Sequence, residues 1–463
     1  MSVYTKSDEE RKISSAGDDF RGPFGRDRDR ILYSSAFRRL AGKTQVLAAS
    51  ELGDYHNRMT HSLKVAQLGR RLAEYLRFQS GPGSEAPNPE IVEAACLAHD
   101  LGHPPFGHAG EEALRDVADE LILEEESQRL AKGVPEAAIK AEFGGFEGNA
   151  QTLRILVCLA ARHPIRSRGL DLTRAVLDAT MKYPWLRQES DKGARKWNVY
   201  PEDLQYAEWI RGENGLGPGS NQCVEATLMD WCDDVTYACH DLQDFYRAGI
   251  VPLHQIFDFA ASSAATAGND VPSPFAEDVA QNLSDDFAAR DKDFAVDVVL
   301  GAMSKLATLL TVDSPYDGSR ETRAAMHQST SALITHFMDA VKVKSGTAAR
   351  FQGEIHISEP VRVEVEVLKQ LIWTYVIGQP ALRSQQLGQQ KIVRDLLHIF
   401  YENKGDAHSL LPRDRQEDLD RGAPYLRCCI DHVASMTESA AIALHQRLTG
   451  THIGLHSDGS WRV

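Results

Sequence analysis

Apolar residues recur along this chain at helical rather than strand spacing. In "THSLKVAQLGRRLAEYL" the positions His61, Val65, Leu68, Leu72 and Tyr75 fall on one face. "PEIVEAACLAHDLGH" reads as a nearly all-apolar helix that ends at His99–Asp100, stopped by Gly102 and Pro104. "GNAQTLRILVCLAAR" and "LDLTRAVLDATMKY" follow as helices, and "CVEATLMDWCDDVTYACHDLQDFYRAG" as a long one closed by Gly249. Further helices fit 293–312, 321–343, 358–377, 388–403 and 426–448. Strand-like alternation is sparse, so the expected fold is all-α.

Glycine, proline and serine punctuate the pattern at "SGPGSEAPNP" (80–89), "RGENGLGPGS" (211–220) and "ASSAATAGNDVPSP" (261–274). The last reads as a linker. The expected organisation is a mobile N-terminal arm over 1–29, a helical core over 30–260 that holds the polar clusters, and a C-terminal helical region over 275–463 packed on that core.

Composition narrows the class. The 463 residues are 42% hydrophobic and 25% charged, as in a soluble globular protein. No run of about 18 apolar residues occurs, so no membrane span is expected. The polar N-terminus lacks the apolar stretch of a secretory signal. The 7 cysteines are odd in number and scattered, which fits free thiols in a reducing cytoplasm better than a disulfide framework. A net charge of −15 argues against a dedicated DNA binder, though local basic clusters can still receive an anion.

The candidate chemistry centres on "HDLGHPPFGH" (99–108). His99 and Asp100 end an apolar helix, and a buried carboxylate is costly unless paired or bound to a cation. His61 starts another apolar face. Imidazole nitrogen and carboxylate oxygen without nearby cysteine suit a divalent ion such as Mn²⁺, Mg²⁺ or Co²⁺. A fourth ligand is expected in the acidic stripe Asp230, Asp233, Asp234, Asp241 and Asp244, which Tyr237 interrupts. Helical phasing alone leaves Asp233 and Asp234 open. His103 and His108 follow beyond a glycine and two prolines, and neutral histidines there suit proton transfer near pH 7. Arg38, Arg39 and Lys43 in "FRRLAGK", with Arg58 and Lys182, suggest an anionic substrate. Arg58 falls one helical turn ahead of His61.

The words "DRILYSSAFRRLAGKTQV", "HNRMTHSLKVAQLGR", "HDLGHPPFGH", "GGFEGNAQTLRIL", "MKYPW" and "DWCDDVTYACHD" occur in order over about 30–250. Together they resemble the HD-superfamily deoxynucleoside triphosphate triphosphohydrolases, in the bacterial dGTPase-like branch. The likeness continues more weakly through "GQQKIVRDLLHIF" and "DHVASMTESAAIAL". It implies an HD-domain helical core with additional C-terminal helices. It makes His61, His99, Asp100 and Asp233 the metal ligands, Asp233 being chosen because the family's ligand lies four residues before the tyrosine.

The same resemblance implies that His103 lies at the reacting phosphate with Glu111 orienting it. His108 and Glu147 are further candidates for the catalytic group. Some relatives carry a histidine immediately before that second acid, where this chain has Phe146. Gln45 matches a residue that contacts the deoxyribose, and Arg58, Lys182, Tyr237 and Asp241 complete the expected substrate site. The implied reaction is metal-dependent hydrolysis of dNTPs, dGTP among them, to 2′-deoxynucleoside and inorganic triphosphate. A dNTP or single-stranded-DNA effector and a homo-oligomer, a hexamer by family likeness, come with it. The competing readings are another HD nucleotide phosphohydrolase, and a nucleotide-sensing or single-stranded-DNA-binding regulator with a vestigial site.

Overall fold

Asn88 and Pro89 start the helix that leads into the "HDLGHPPFGH" turn. Asn88 Oδ1 accepts from the Glu90 amide at 2.9 Å, and Pro89 in the first turn has no N–H to leave unsatisfied. The helix Pro89–Ala98 is buried along most of its length, Ile91, Val92, Ala94 and Ala95 included. It packs on the helices Arg58–Ser80 and Pro23–Leu32. Arg58–Ser80 is capped reciprocally: Asn57 Oδ1 accepts from the Thr60 amide at 2.9 Å, and Thr60 Oγ1 accepts from the Asn57 amide at 3.1 Å. Its buried face is His61, Val65, Leu72 and Leu76, so the 3.6-residue apolar pattern is what sits inward.

The computed structural model describes residues 4–13, 20–45, 56–80, 86–133, 144–163, 167–187, 195–212, 215–217, 222–258, 272–289, 292, 294–343 and 355–451. These fall into two compact units. One runs up to Met229 and resumes at Ser384, and the other lies between Asp230 and Arg383. In the first unit, the helix Gly107–Ala131 joins the C-terminal helices around Leu114, Val117, Phe146, Leu396, Phe400, Leu426 and Val433. In the second, Pro274–Ala288, Val296–Ala307, Arg320–Asp339 and Glu359–Ile372 bury Leu283, Phe287, Met303, Leu333, Phe337 and Leu368. Trp231 meets Phe337 edge-on at 6.4 Å between ring centroids.

The fold is all-α, as expected. Among the described residues the strands are two short antiparallel pairs, Ala161–His163 with Ser167–Arg168 and Val341–Val343 with Ile355–Ile357. The single helix expected over 426–448 is two, Tyr425–Ser435 and Glu438–Leu448. Thr437 breaks it by capping the second with its hydroxyl, which accepts from the Ala440 amide at 3.3 Å. The helix expected over 321–343 stops at Asp339, and β-branched Val341 and Val343 pair as strand. The long helix closed by Gly249 contains a π-turn, Tyr237–Asp241. The interior of the expected 261–274 linker, up to residue 271, lies outside the described residues. Among the described residues no helix is long and apolar enough to cross a membrane, and all the cysteines are free.

Candidate active site

The helix Pro89–Ala98 stops because Gly102 and Pro104 cannot carry it on. The Leu101 amide closes on the Ala98 carbonyl at 3.1 Å, and the His103 amide on the Asp100 carbonyl at 3.2 Å. Thr152 clamps this turn from the helix Gly148–Arg154: its hydroxyl accepts from the Gly102 amide at 2.9 Å and faces the His99 carbonyl at 3.1 Å. A side chain at residue 102 would overlap the Gly148 carbonyl and the Thr152 amide, which explains the glycine. Phe106 and Gly107 then take left-handed conformations, φ 68° and 56°, to turn the chain into the next helix. For a non-glycine residue that conformation costs about 1–2 kcal/mol, offset here by burial of the Phe106 ring in the core.

Asp100 is the hub. Its Oδ2 accepts from Arg58 Nη1 at 2.7 Å, and its Oδ1 lies 3.0 Å from His103 Nδ1 and 3.5 Å from His99 Nε2. Burial alone would raise the Asp100 pKa. The Arg58 guanidinium, with His99 and His103, instead holds it well below the usual carboxylate range. His99 Nδ1 sits 2.7 Å from the Cys96 carbonyl, which can only accept, so the proton is on Nδ1 and Nε2 carries the lone pair. The His61 ring lies beside it, 5.6 Å between centroids. Burial, reinforced by Arg58, lowers the His103 pKa and favours the neutral ring at neutral pH.

A second cluster adjoins the first. Ligating atoms of His103, His108 and Glu111 all lie within 4.8 Å of one another. His108 Nδ1 is 3.4 Å from Glu111 Oε2, and the His108 side chain is 74% exposed whereas that of His103 is 13% exposed. Glu111 Oε1 accepts from the Gly148 amide at 3.2 Å. Glu147 caps the helix Gly148–Arg154, accepting from the Ala150 amide at 3.1 Å and from Lys196 Nζ at 3.1 Å. Lys196 also lies 3.5 Å from Glu111 Oε1. The two acids are pushed apart. Burial acts upward on both, but His108, Lys196 and His103 hold Glu111 well below its ordinary value, while burial and the Glu111 charge raise Glu147.

The basic residues of "FRRLAGK" divide. Arg38 is exposed and Arg39 half-buried. Lys43 turns inward: it is buried and donates to the His103 carbonyl and, at 3.0 Å, to the Ala434 carbonyl, so it braces the turn rather than facing a phosphate. Gln45 follows, half-buried, and its Oε1 is buried with no hydrogen-bond partner. Lys182 is half-buried in the same unit, with its carbonyl accepting from Gln222 Nε2 at 2.6 Å. Asp233 is half-buried on the helix Val224–Thr236. Tyr237 and Asp241 open and close the π-turn that follows, Asp241 being buried. Asp234 is engaged by Lys369 Nζ at 2.8 Å.

The donors fit a divalent cation. His99 has its Nδ1 proton fixed on a carbonyl, so Nε2 presents a lone pair toward Asp100, as ligating imidazoles require. Asp100 supplies a charged oxygen, and His61 a second ring.

Comparison with known proteins gives this geometry its family. The HD domain matches residues 58–238, and the phosphohydrolase-associated domain matches residues 355–447. A deoxyguanosinetriphosphate triphosphohydrolase-like protein of Streptomyces coelicolor is 34% identical over 93% of this chain and 93% of its own length. The chain belongs to this HD-domain family. Proteins of the same name from Bifidobacterium longum and Corynebacterium efficiens are each 34% identical, over 92% and 97% of this chain and 83% and 99% of their own. Within this HD phosphohydrolase the HD-domain match takes in His61, His99, Asp100, Asp233 and Tyr237, whereas Gln45 precedes it and Asp241 follows it. Lys196 and Glu438 escaped sequence reasoning. Lys196 lies in "DKGARKWNVY", with no repeat or motif around it. Glu438 sits in "SMTESAA", whose Thr-Glu pair is a helix-start signal inside an apolar pattern.

Proposed function

We propose that this HD phosphohydrolase cleaves deoxynucleoside triphosphates, dGTP among them, to the 2′-deoxynucleoside and inorganic triphosphate. The observation that carries the reading is the convergence of Arg58, His99 and His103 on the single carboxylate of Asp100, beside the His103–His108–Glu111 cluster. The names of the relatives supply the substrate class.

In this reading His61, His99, Asp100 and Asp233 would hold one divalent ion, Mn²⁺, Mg²⁺ or Co²⁺. When bound, such an ion supplies charge stabilisation at a phosphoryl oxygen and more acidic water. The Arg58 guanidinium, bonded to Asp100 through one nitrogen, has donors left for phosphate oxygens. Lys182 adds positive charge for the same anion. His103, neutral and largely shielded from water, passes a proton at Nε2, which lies 4.0 Å from Glu111 Oε2. Glu111, held ionised, orients that ring. His108, mostly exposed, exchanges the proton with solvent. Glu147 keeps Glu111 in place through the cap of the helix Gly148–Arg154 and through Lys196. Gln45, with an unpartnered buried amide oxygen, receives a sugar hydroxyl, and Tyr237 and Asp241 face the nucleoside. A dNTP or single-stranded-DNA effector, a hexamer and a cytoplasmic setting belong to the same reading.

The test is turnover of the four dNTPs, singly and mixed, with Mn²⁺ and with Mg²⁺, products being resolved by chromatography. The expected products are deoxynucleoside and triphosphate. Release of deoxynucleoside monophosphate and pyrophosphate, or no turnover of any dNTP with either metal, contradicts the proposal.

A further inference from the structure

We propose that Glu438 is a positioning residue for sugar discrimination: it locks the Thr44–Gln45 segment to the turn that carries His103 and His108. The sugar part of this inference rests on the deoxynucleotide reading above, while the lock itself does not.

The carboxylate joins three chain segments. Glu438 Oε1 accepts from the Thr44 amide at 2.7 Å and from the Phe106 amide at 3.1 Å, and Oε2 accepts from Thr44 Oγ1 at 2.6 Å. Both oxygens act only as acceptors, which is the chemistry of an ionised group. Its charge is placed favourably, because Glu438 is the first residue of the helix Glu438–Leu448, where the unpaired amides attract an anion.

What it holds is chemically loaded on both sides. On one side Gln45 comes directly after Thr44, with its unpartnered amide oxygen. On the other side Phe106 is in the left-handed region, a conformation that persists only where the surroundings impose it. Its ring is fixed in the core with Leu426, Val433 and Met436, and its amide is fixed by Glu438. Two further contacts leave the junction no slack. Lys43 Nζ joins the His103 and Ala434 carbonyls, and a Cβ on Gly42 would come within 2.8 Å of the Thr437 side chain. A C-terminal segment distant in sequence therefore fixes the separation between the residue that would read the sugar and the turn that would move the proton.

The experiment compares Glu438→Ala, Glu438→Gln, Gln45→Ala and the Gln45→Ala/Glu438→Ala double variant in the full chain. One arm measures kcat/KM for dGTP and for GTP, and the other measures amide hydrogen exchange at Thr44 and Phe106. Glutamine can rescue: its Oε1 still accepts from both amides, and its Nε2 can donate to the Thr44 hydroxyl. Glu438→Ala should lower the dGTP-to-GTP ratio about tenfold and speed exchange at both amides about tenfold, the scale of hydrogen bonds to a charged acceptor. Glu438→Gln should keep most of both. The double variant should discriminate no worse than Gln45→Ala, because Glu438 acts through that residue. A merely structural role would lower stability and leave the ratio unchanged. An unchanged ratio in Glu438→Ala overturns the specificity role, and unchanged exchange at Thr44 and Phe106 overturns the lock. A wild type inert to both nucleotides sinks the substrate reading and the sugar role together, with the exchange arm still deciding the lock.

Discussion

Arg58 Nη1 and Asp100 Oδ2 form an ion pair 2.7 Å long, with both side chains almost wholly buried. The pair joins the first turn of the helix Arg58–Ser80 to the residue that follows His99. It therefore couples the two segments that bring His61 and His99 side by side. An unpaired guanidinium in that position would be costly, so Asp100 is at once a structural partner and a candidate ligand.

Replacing Asp100 with alanine should accordingly have two separable effects. Bound divalent metal and turnover should both fall to background, because a ligand and the charge that attracts the cation are lost together. Stability should fall by about 3–5 kcal/mol from the stranded Arg58 charge. Elemental analysis of the purified protein and chemical denaturation measure the two. An Asp100→Ala protein with full metal content and activity would remove the residue from the ligand set.

His103→Ala should lower kcat by roughly 10²–10⁴-fold, the usual worth of a positioned proton-transfer group. Metal content should stay near that of the wild type, since His103 lies outside the proposed ligand set and approaches Asp100 through Nδ1. Loss of metal in this variant would move His103 into the ligand shell.

Asp431 tests the scaffold without touching the proposed chemistry. It is buried and accepts from Arg154 Nε at 3.0 and 2.9 Å and from Gln151 Nε2 at 3.0 Å. The same helix that contributes Arg154 contributes Thr152 to the His99–Gly102 turn. Asp431→Ala leaves buried Arg154 with one carboxylate, Asp203 at 3.1 Å, in place of two, and should cost about 1–3 kcal/mol in denaturant unfolding. A loss below about 1 kcal/mol, the value of a solvent-exposed pair, would contradict this account of the network.

Much of this was legible in the chain, and the limits have physical causes. Apolar periodicity located the helices because burial selects one face. It could not show the junction at Met436–Thr437, since both flanking helices are amphipathic and the break is made by one hydroxyl cap. The π-turn at Tyr237–Asp241 was equally hidden: an inserted residue changes the phase of a helix without changing its composition. At the candidate site the His-Asp word pointed to Asp100 directly. Lys43 misled, because a lysine beside two arginines reads as an anion-facing charge, whereas here its ammonium satisfies carbonyls of His103 and Ala434. Lys196 and Glu438 act across long sequence separations, and no local pattern encodes such contacts.

His432 gives a prediction for pH. Burial pushes its pKa down to about 4, and its ring packs edge-on against Phe400, 5.1 Å between centroids. The folded value lies below the ordinary 6.5, so protonation favours the unfolded chain. Stability is undiminished by this group above pH 6.5, falls as the pH drops toward 4, and is then lower by about 3 kcal/mol. His432→Phe should lose less stability between pH 7 and pH 4 than the wild type does, as followed by urea unfolding at each pH. Parallel profiles for the two proteins would show that His432 is not buried as a neutral ring.

Hydrolysis of dGTP in ¹⁸O-labelled water, with mass analysis of both products, tests the central claim most directly. In the proposed reaction Asp100, Arg58 and His103 would gather about a phosphoryl group, which would be the electrophile, with the sugar oxygen leaving. The label is then predicted in the inorganic triphosphate, with unlabelled deoxyguanosine. Label in deoxyguanosine, or in a nucleoside monophosphate, would contradict the account.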